Sequence, residues 1–295
     1  MLGDKIIMSL DTSYDIKNII CSYLYDLKDT INLYDLNKDH QNNIIITNLY
    51  DIPQKNKLNQ QIIEQNKYKN VEKLNTHFNI KIKNVNHIKN TLRILYCGLN
   101  SMIDQNGILE LNLIELEACH NEKIENVNHM KETLKILYCG WNCGINQNGI
   151  SELSLIELNA NYNKKIKNVN HMKGTLKKLY CCGYSEIDQN GISQLKLIEL
   201  NARSNEKIKN VNHMKKTLKI LYCCGNCGID QDGISQLNLI ELDAYDNNKI
   251  KNVNHMKNTL KILYCDGSNC GINQEGISQL KLTKLYAFNN HKIKL

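Results

Sequence analysis

The chain reads as an α/β repeat fold, a solenoid of short parallel strands, on three observations. The hexapeptide Asn84-Val85-Asn86-His87-Ile88-Lys89 returns every 42 residues, with Met for Ile, from Asn126, Asn168, Asn210 and Asn252. Each period divides into two rungs of 21 that share one apolar spacing, Leu92-x-x-Leu95-x-Cys97-x-x-Asn100-x-x-Ile103 and then Leu113-x-x-Leu116-x-Ala118-x-x-Asn121-x-x-Ile124. The composition is 42% hydrophobic with only two Phe and one Trp in 295 residues, which suits an aliphatic, layered interior. A fixed period of this length marks a stack of like units that bury their apolar faces only against one another.

Cys-bearing rungs start at Leu92, Leu134, Leu176, Leu218 and Leu260. Ala-bearing rungs start at Val71, Leu113, Leu155, Leu197, Leu239 and Leu282, eleven rungs in all, with one inserted residue between Asp266 and Asn269. Side chains alternate along a strand, so rung positions 4 and 6 point inward and positions 3, 5 and 7 outward. The Asn at position 9, as in Asn79, Asn100, Asn121, Asn142 and Asn163, is expected to form a continuous internal amide ladder that Tyr184 interrupts once. Ile124, Val127 and Met130, or Ile103, Ile108 and Leu111, complete the core along a return with room for only a short helical turn. The Cys-bearing rungs add Gln105-Asn106-Gly107 or a close variant, a turn signal that predicts glycine at positive φ. Over residues 71–295 this pattern resembles leucine-rich repeat proteins. The resemblance implies a leucine-rich repeat solenoid of about eleven 21-residue rungs, with a parallel sheet on its concave face.

The repeat also weighs against sites. Cys97, Cys139, Cys181, Cys223 and Cys265 face inward two rungs apart, about 9 to 10 Å at ~4.8 Å per strand, whereas a disulfide needs Cα atoms within about 7 Å. They read as small buried apolar groups alternating with Ala118, Ala160, Ala202 and Ala244. Cys224-x-x-Cys227 lacks a second pair or histidines at zinc spacing. His87, His129, His171, His213 and His255 are too far apart to share an ion and are read as return-side residues that bond locally or face solvent. No nucleophile, paired-carboxylate or phosphate-loop motif departs from the repeat, so no enzyme, metal or cofactor is expected.

A binding surface is left. Position 5 of the Cys-bearing rungs places Tyr96, Tyr138, Tyr180, Tyr222 and Tyr264, beside Ile94, Ile136, Lys178, Ile220 and Ile262 at position 3. The Ala-bearing rungs between them place Glu115, Glu157, Glu199 and Glu241. An exposed face banded in this way is more apolar than an idle surface requires. The repeats differ most just after the strand, at Trp141, Arg203 and Tyr245 among others, as a face tailored along its length would. The net charge of +7 comes from lysines at positions 11, 13 and 19 of the Ala-bearing rungs, on the loop and return side. On positions 3, 5 and 7 the acids Glu115, Glu117, Glu157, Glu199, Glu241, Asp243 and Asp266 outnumber Lys73, Lys178, Arg203 and Lys284. That is the reverse of a nucleic-acid groove, so a protein partner is expected on the concave face. Salt-sensitive nucleic-acid or phosphate binding by the outer lysine columns is the alternative.

Residues 1–50 do not follow the repeat. Ile16, Ile19, Ile20, Tyr23, Leu24, Leu27, Ile31, Leu33 and Leu36 have the spacing of short amphipathic helices. Ile19-Ile20-x-x-Tyr23-Leu24, then Asp29, Leu33 and Leu36-Asn37-Lys38, resembles an F-box. That resemblance implies contacts of Ile19, Ile20, Tyr23, Leu24, Leu33 and Leu36 with the linker subunit of an SCF ubiquitin ligase. The plain alternative is a helical cap on the solenoid edge. Residues 51–70 read as a connector and 71–295 as the solenoid. With its abundant Asn, Ile, Lys and Tyr, the combination is similar to proteins of giant amoeba-infecting viruses. Asp4 and Lys5 precede only a brief apolar run, no segment reaches a membrane span, and the cysteines read as reduced. A cytoplasmic protein is expected, in the host cytoplasm if viral.

Overall fold

The computed structural model describes residues 46–49 and 58–294, which fall into two compact units, 1–113 and 114–295. The F-box-like residues lie outside the described residues. In the first unit β1 (Asn48–Leu49), β2 (Lys73–Asn75) and β3 (Ile94–Tyr96) pair in parallel, Asn48 opposite Lys73 and Lys73 opposite Ile94. β1 falls within 1–50, so the sheet begins one strand before the sequence repeat. Between β1 and β2 the stretch read as a polar connector buries Leu58, Ile63 and Tyr68. Its short α-helix Gln60–Ile63 is capped by the Asn59 side chain, which accepts from Ile62 N at 2.9 Å.

The second unit continues the pattern with β4 (Glu115–Glu117), β5 (Ile136–Tyr138), β6 (Glu157–Asn159), β7 (Lys178–Tyr180), β8 (Glu199–Asn201), β9 (Ile220–Tyr222), β10 (Glu241–Asp243), β11 (Ile262–Tyr264) and β12 (Lys284–Tyr286). Each pairs in parallel with the next. Ile136 stands opposite Glu157, whereas Ile262 stands opposite Lys284, a step one residue longer that absorbs the insertion at 266–269. Leu137, Leu158, Cys139 and Ala160 are fully buried, as are Ile124 and Val127 and, within a percent, Met172 on the return. Return turns such as Asn128–Met130 and Asn148–Ile150 are single 3₁₀ turns, and Gln231–Ile234 is one turn of α-helix.

Where a strand ends, its carbonyls lose the ladder and need other partners. Asn163 supplies them: its Nδ2 donates to Cys139 O at 2.7 Å and Ile145 O at 3.2 Å, and its Oδ1 accepts from Lys165 N at 2.8 Å and Ile166 N at 3.1 Å. Asn205, Asn247 and Asn290 repeat the donor pair with equivalent carbonyls. Among the described residues only the Ala-bearing rungs use position 9 in this way. Asn100, Asn142 and Asn226 are exposed, as is Tyr184, so the expected continuous ladder is present on every second rung and Tyr184 interrupts nothing. The physical reason is that each buried amide already serves the carbonyls of the Cys-bearing rung before it. That rung fills the inner place with Ser101, Cys143, Ser185, Cys227 or Cys270, all buried.

The glycine of Gln-Asn-Gly also differs from expectation. Gly149, Gly191 and Gly233 do not take positive φ; they sit in helical turns against the preceding rung. A Cβ on Gly191 would lie 2.0 Å from Lys167 O, so glycine is needed for close approach. The preceding glutamine ties the turn to the next rung instead: Gln189 Nε2 donates to Asn210 O at 2.9 Å while its Oε1 accepts from Lys209 N and Asn210 N. In the hexapeptide, Asn170 Nδ2 donates to Asn190 O at 2.7 Å and its Oδ1 accepts from Gln194 N at 2.9 Å. His171, His213 and His255 bond through Nε2 to Ile150, Ile192 and Ile234 carbonyls at 3.0 to 3.1 Å. The histidine column is therefore a set of local ties.

Two outcomes are expected. Asn205→Ala strands buried carbonyls and amides and lowers stability by roughly 2 kcal/mol or more, while Asn142→Ala, on the surface, changes it by less than about 0.5 kcal/mol; urea denaturation of both variants checks this. Burial lowers the pKa of His171, His213 and His255 below 6.5, with the carbonyl bond opposing in part. The unfolded chain then takes up protons first, so stability is constant above pH 6.5 and falls as the pH drops from there through the lowered folded values. Urea midpoints measured from pH 8 to 5 should show this decline, and the triple His→Gln variant should flatten it.

Candidate functional site

The alternation that buries Leu137 and Leu158 turns Ile136, Tyr138, Glu157 and Asn159 to the opposite face of the sheet, where all are half-buried. The face is thus banded as expected but less exposed, because its bands cover each other. Tyr138 Oη donates to Glu157 Oε1 at 3.0 Å, Tyr180 to Glu199 at 2.9 Å and Tyr222 to Glu241 at 3.3 Å. Burial and then the neighbouring carboxylates push the Tyr138 and Tyr180 hydroxyls far above their usual range, and Tyr222 up to about 12. The tyrosines are fixed neutral donors. Lys178 sits between two glutamates, its Nζ 3.7 Å from Glu157 Oε2 and 3.9 Å from Glu199 Oε2. Tyr264 stacks on Tyr286 with centroids 4.5 Å apart. In the first unit Tyr96 lies edge-on to His77 at 6.1 Å, with Lys73 Nζ 5.7 Å over its ring. Glu115, half-buried, stands opposite Ile136.

The remaining expected residues lie beyond the strand ends. Arg203, exposed, lies 5.8 Å over the ring of Tyr245, itself 41% exposed. Trp141 joins a stack that the sequence reading did not assemble: His120, Trp141 and Tyr162 have centroids 5.3 and 4.2 Å apart and planes within 17 and 15°. All three occupy rung position 8 with positive φ, 61, 60 and 58°, a conformation that costs bulky residues on the order of 1 kcal/mol each. The column continues as Gly183, Ser204, Gly225, Asp246 and Gly267, also at positive φ. The available signal was the internal divergence just after the strand, but one-dimensional comparison does not show that position 8 of consecutive rungs superposes.

The interior thiols are chemically quiet. Among the described residues every cysteine is unbridged, and burial pushes Cys182 and Cys227 up to about 11 and Cys143 and Cys265 up to about 12. Many of the lysines tie neighbouring rungs: Lys131 to Glu152 at 2.7 Å, Lys215 to Gln236 at 2.8 Å and Lys207 to Glu186 at 2.6 Å. Among the described residues no helix is long and apolar enough to cross a membrane.

No family model and no curated protein matches the chain. Solved structures do. Rad7, in its complex with Elc1 in yeast, is 15% identical, with a TM-score of 0.52 over 92% of this chain and 80% of that one. The functional domain of InlJ from Listeria monocytogenes, which includes a cysteine ladder, is 22% identical, with a TM-score of 0.48 over 79% of this chain and 52% of that one. TLR13 bound to ssRNA13 is 16% identical, with a TM-score of 0.38 over 88% and 54%. The fold is the leucine-rich repeat solenoid. The chain spans about half the length of the InlJ domain it matches. Within this leucine-rich repeat array the two surface features particular to the chain are the Tyr–Glu bands and the position-8 stack.

Gly183 tests the stack. A Cβ there would meet the Tyr162 ring at 2.3 Å on a backbone of φ +62°, whereas one on Gly174 would meet nothing within 4 Å. Gly183→Ala should cost about 1 to 2 kcal/mol and Gly174→Ala should be neutral or stabilising by up to about 1 kcal/mol, read from thermal midpoints of the two variants.

Proposed function

We propose that the chain is a recognition protein that binds a protein partner on the outward face of its sheet and performs no catalysis. The observation that carries this reading is the banded face itself. Half-buried Tyr and Ile alternate with Glu whose carboxylates fix the tyrosine hydroxyls, which leaves a rigid, mixed apolar and acidic surface rather than a mobile one. Rigid aromatic groups with low conformational cost are what protein interfaces favour. That Rad7 was solved in complex with Elc1 supports a protein as the partner. Glu152 and Glu186 offset part of the outer lysine charge, at Lys131 and Lys207, which weighs against nucleic-acid binding at those rungs.

A second reading adds an adaptor role. Ile19, Ile20, Tyr23, Leu24, Leu33 and Leu36 supply the F-box-like pattern that would engage an SCF linker subunit while the repeats hold the target. Without that engagement the chain is a plain interaction scaffold. The neutral, unbridged thiols fit a reducing, cytoplasmic setting.

Affinity capture with quantitative mass spectrometry, followed by binding of purified pairs, separates these readings. Lys178 shows that rung position 3 accommodates lysine, so Ile136→Lys with Ile220→Lys should fold normally and lose the partner at least about tenfold. A linker subunit, if captured, should vanish with Ile20→Asp and Leu24→Asp while the repeat partner stays. Unchanged partner binding by the position-3 variant would overturn the sheet-face assignment.

A further inference from the structure

The edge by which the chain enters its strands carries a row of its own. Rung position 2 of the second unit runs Ile156, Lys177, Ile198, Lys219, Ile240 and Lys261, with Ile114 and Lys135 ahead of them. The row is continuous in space: Lys177 N donates to Ile156 O, Ile198 N to Lys177 O, Lys219 N to Ile198 O, Ile240 N to Lys219 O and Lys261 N to Ile240 O, all at 2.8 or 2.9 Å. Adjacent members are therefore one rung apart, about 4.8 Å. The leucines just before the isoleucines, Leu155, Leu197 and Leu239, are fully buried, whereas Ile156, Ile198 and Ile240 are 45 to 47% exposed. Lys177 and Lys219 are half-buried and Lys261 is exposed.

This edge is also strongly cationic. The two residues that precede each rung add Lys196, Lys216 and Lys281, against one carboxylate, Glu132. Among the described residues none of these three lysines, nor Lys177, Lys219 or Lys261, lies within ion-pair distance of a carboxylate.

We propose that the row seats the second unit on an anionic lipid surface, independently of the partner held by the sheet face. The isoleucines recur about 10 Å apart, and each can leave water at headgroup depth. The lysines between them lay their methylene stems along the same boundary and keep their ammonium groups among the phosphates. Such contact is peripheral and needs no membrane-crossing helix. The row repeats the same two residues, whereas rung position 8 changes from His120 to Trp141 to Tyr162. A repeating row suits a ligand that presents the same chemistry at every step, as a bilayer does. A particular acidic polypeptide is fixed in register by differences along its binding row, and this row has none between its repeats from Ile156 to Lys261. A nucleic acid would meet the lysines but has no use for an isoleucine at every second step. The cations of the edge are also lysine throughout, without the arginine that forked phosphate contacts favour.

The test sediments the full chain with sucrose-loaded vesicles of phosphatidylcholine, alone or with about 30% phosphatidylserine, at low and high salt. Partition onto the anionic vesicles is expected to exceed that onto neutral ones at least about tenfold and to fall severalfold in high salt. Lys177→Gln, Lys219→Gln and Lys261→Gln together should weaken it at least about tenfold. The same loss of charge on the return side, Lys167→Gln, Lys209→Gln and Lys251→Gln, should weaken it less than about threefold. Position 2 accommodates threonine at Thr283, so Ile156→Thr, Ile198→Thr and Ile240→Thr together should fold and, at unchanged charge, weaken partition severalfold. Thermal midpoints confirm that all three variants fold. No partition of the unaltered chain onto anionic vesicles, equal partition onto neutral ones, equal losses from the two lysine sets, or unchanged partition of the isoleucine variant would overturn the assignment. Tighter binding of poly-glutamate than of vesicles, with the same dependence on the row, would overturn it in favour of an acidic polypeptide. Neither set of row substitutions touches Ile136 or Ile220, so partner capture by the sheet face should persist in both and fails or succeeds separately.

Discussion

The structure depends on how backbone groups are satisfied where three-residue strands stop. A parallel ladder this short pairs few of the polar groups in a rung, and the chain must turn inward against an aliphatic core where water does not reach. The buried asparagines at Asn163, Asn205, Asn247 and Asn290 solve this by bonding to main chain on both sides of the turn. On the opposite side of each rung the Gln189-type and Asn170-type amides and the histidines repeat the device with their own carbonyls and N–H groups. Hydrophobic burial by Leu, Ile, Val and Met drives the stacking, and the amides decide in which register it is possible. The most conspicuous sequence in the chain, the recurring hexapeptide, is accounted for entirely by this scaffolding.

Because the ties lie inside the rungs and along the return, the strand face and the loop edge are freed from structural duty. The strand face is nevertheless ordered by its own contacts, since Glu157, Glu199 and Glu241 each accept from a tyrosine of the preceding rung. The loop edge is different in kind. There His120, Trp141 and Tyr162 hold a left-handed backbone that glycine adopts without cost in later rungs, and the stacking of their rings offsets part of that cost. Glycine relieves the strain at Gly183, Gly225 and Gly267, whereas Ser204 and Asp246 carry it between them.

Much of the fold was legible because the repeat supplies its own internal comparison. Leu95, Cys97 and Ala118 recur at positions whose alternation assigns them inward, and the sheet follows in that register. The single insertion near Asp266 was readable in the same way and appears as a longer step between β11 and β12. What was not legible required distances across rungs. Asn100 and Asn163 occupy the same rung position, yet one is exposed and the other buried, because hydrogen-bond demand is shared between neighbouring turns. Gly191 carries the signature of a positive-φ turn, but its neighbour across the rung makes the requirement steric. The Tyr, Ile and Glu bands of the site were visible as periodic residues. The aromatic column was visible only as scattered divergence at His120, Trp141 and Tyr162, since a period of 21 brings them together only once the rungs are stacked.

The sharing of one asparagine between two rungs sets the quantum in which such a chain can grow or shrink. A lone 21-residue duplication would place two Cys-bearing or two Ala-bearing rungs side by side, leaving one set of turn carbonyls without an amide or two amides competing for one set. A 42-residue duplication preserves every donor and acceptor, and its ends fall on identical hexapeptides that can exchange in frame. The array length is thereby free to drift in whole pairs while each pair stays chemically closed, and the residues at rung position 8 can diverge from copy to copy after each addition.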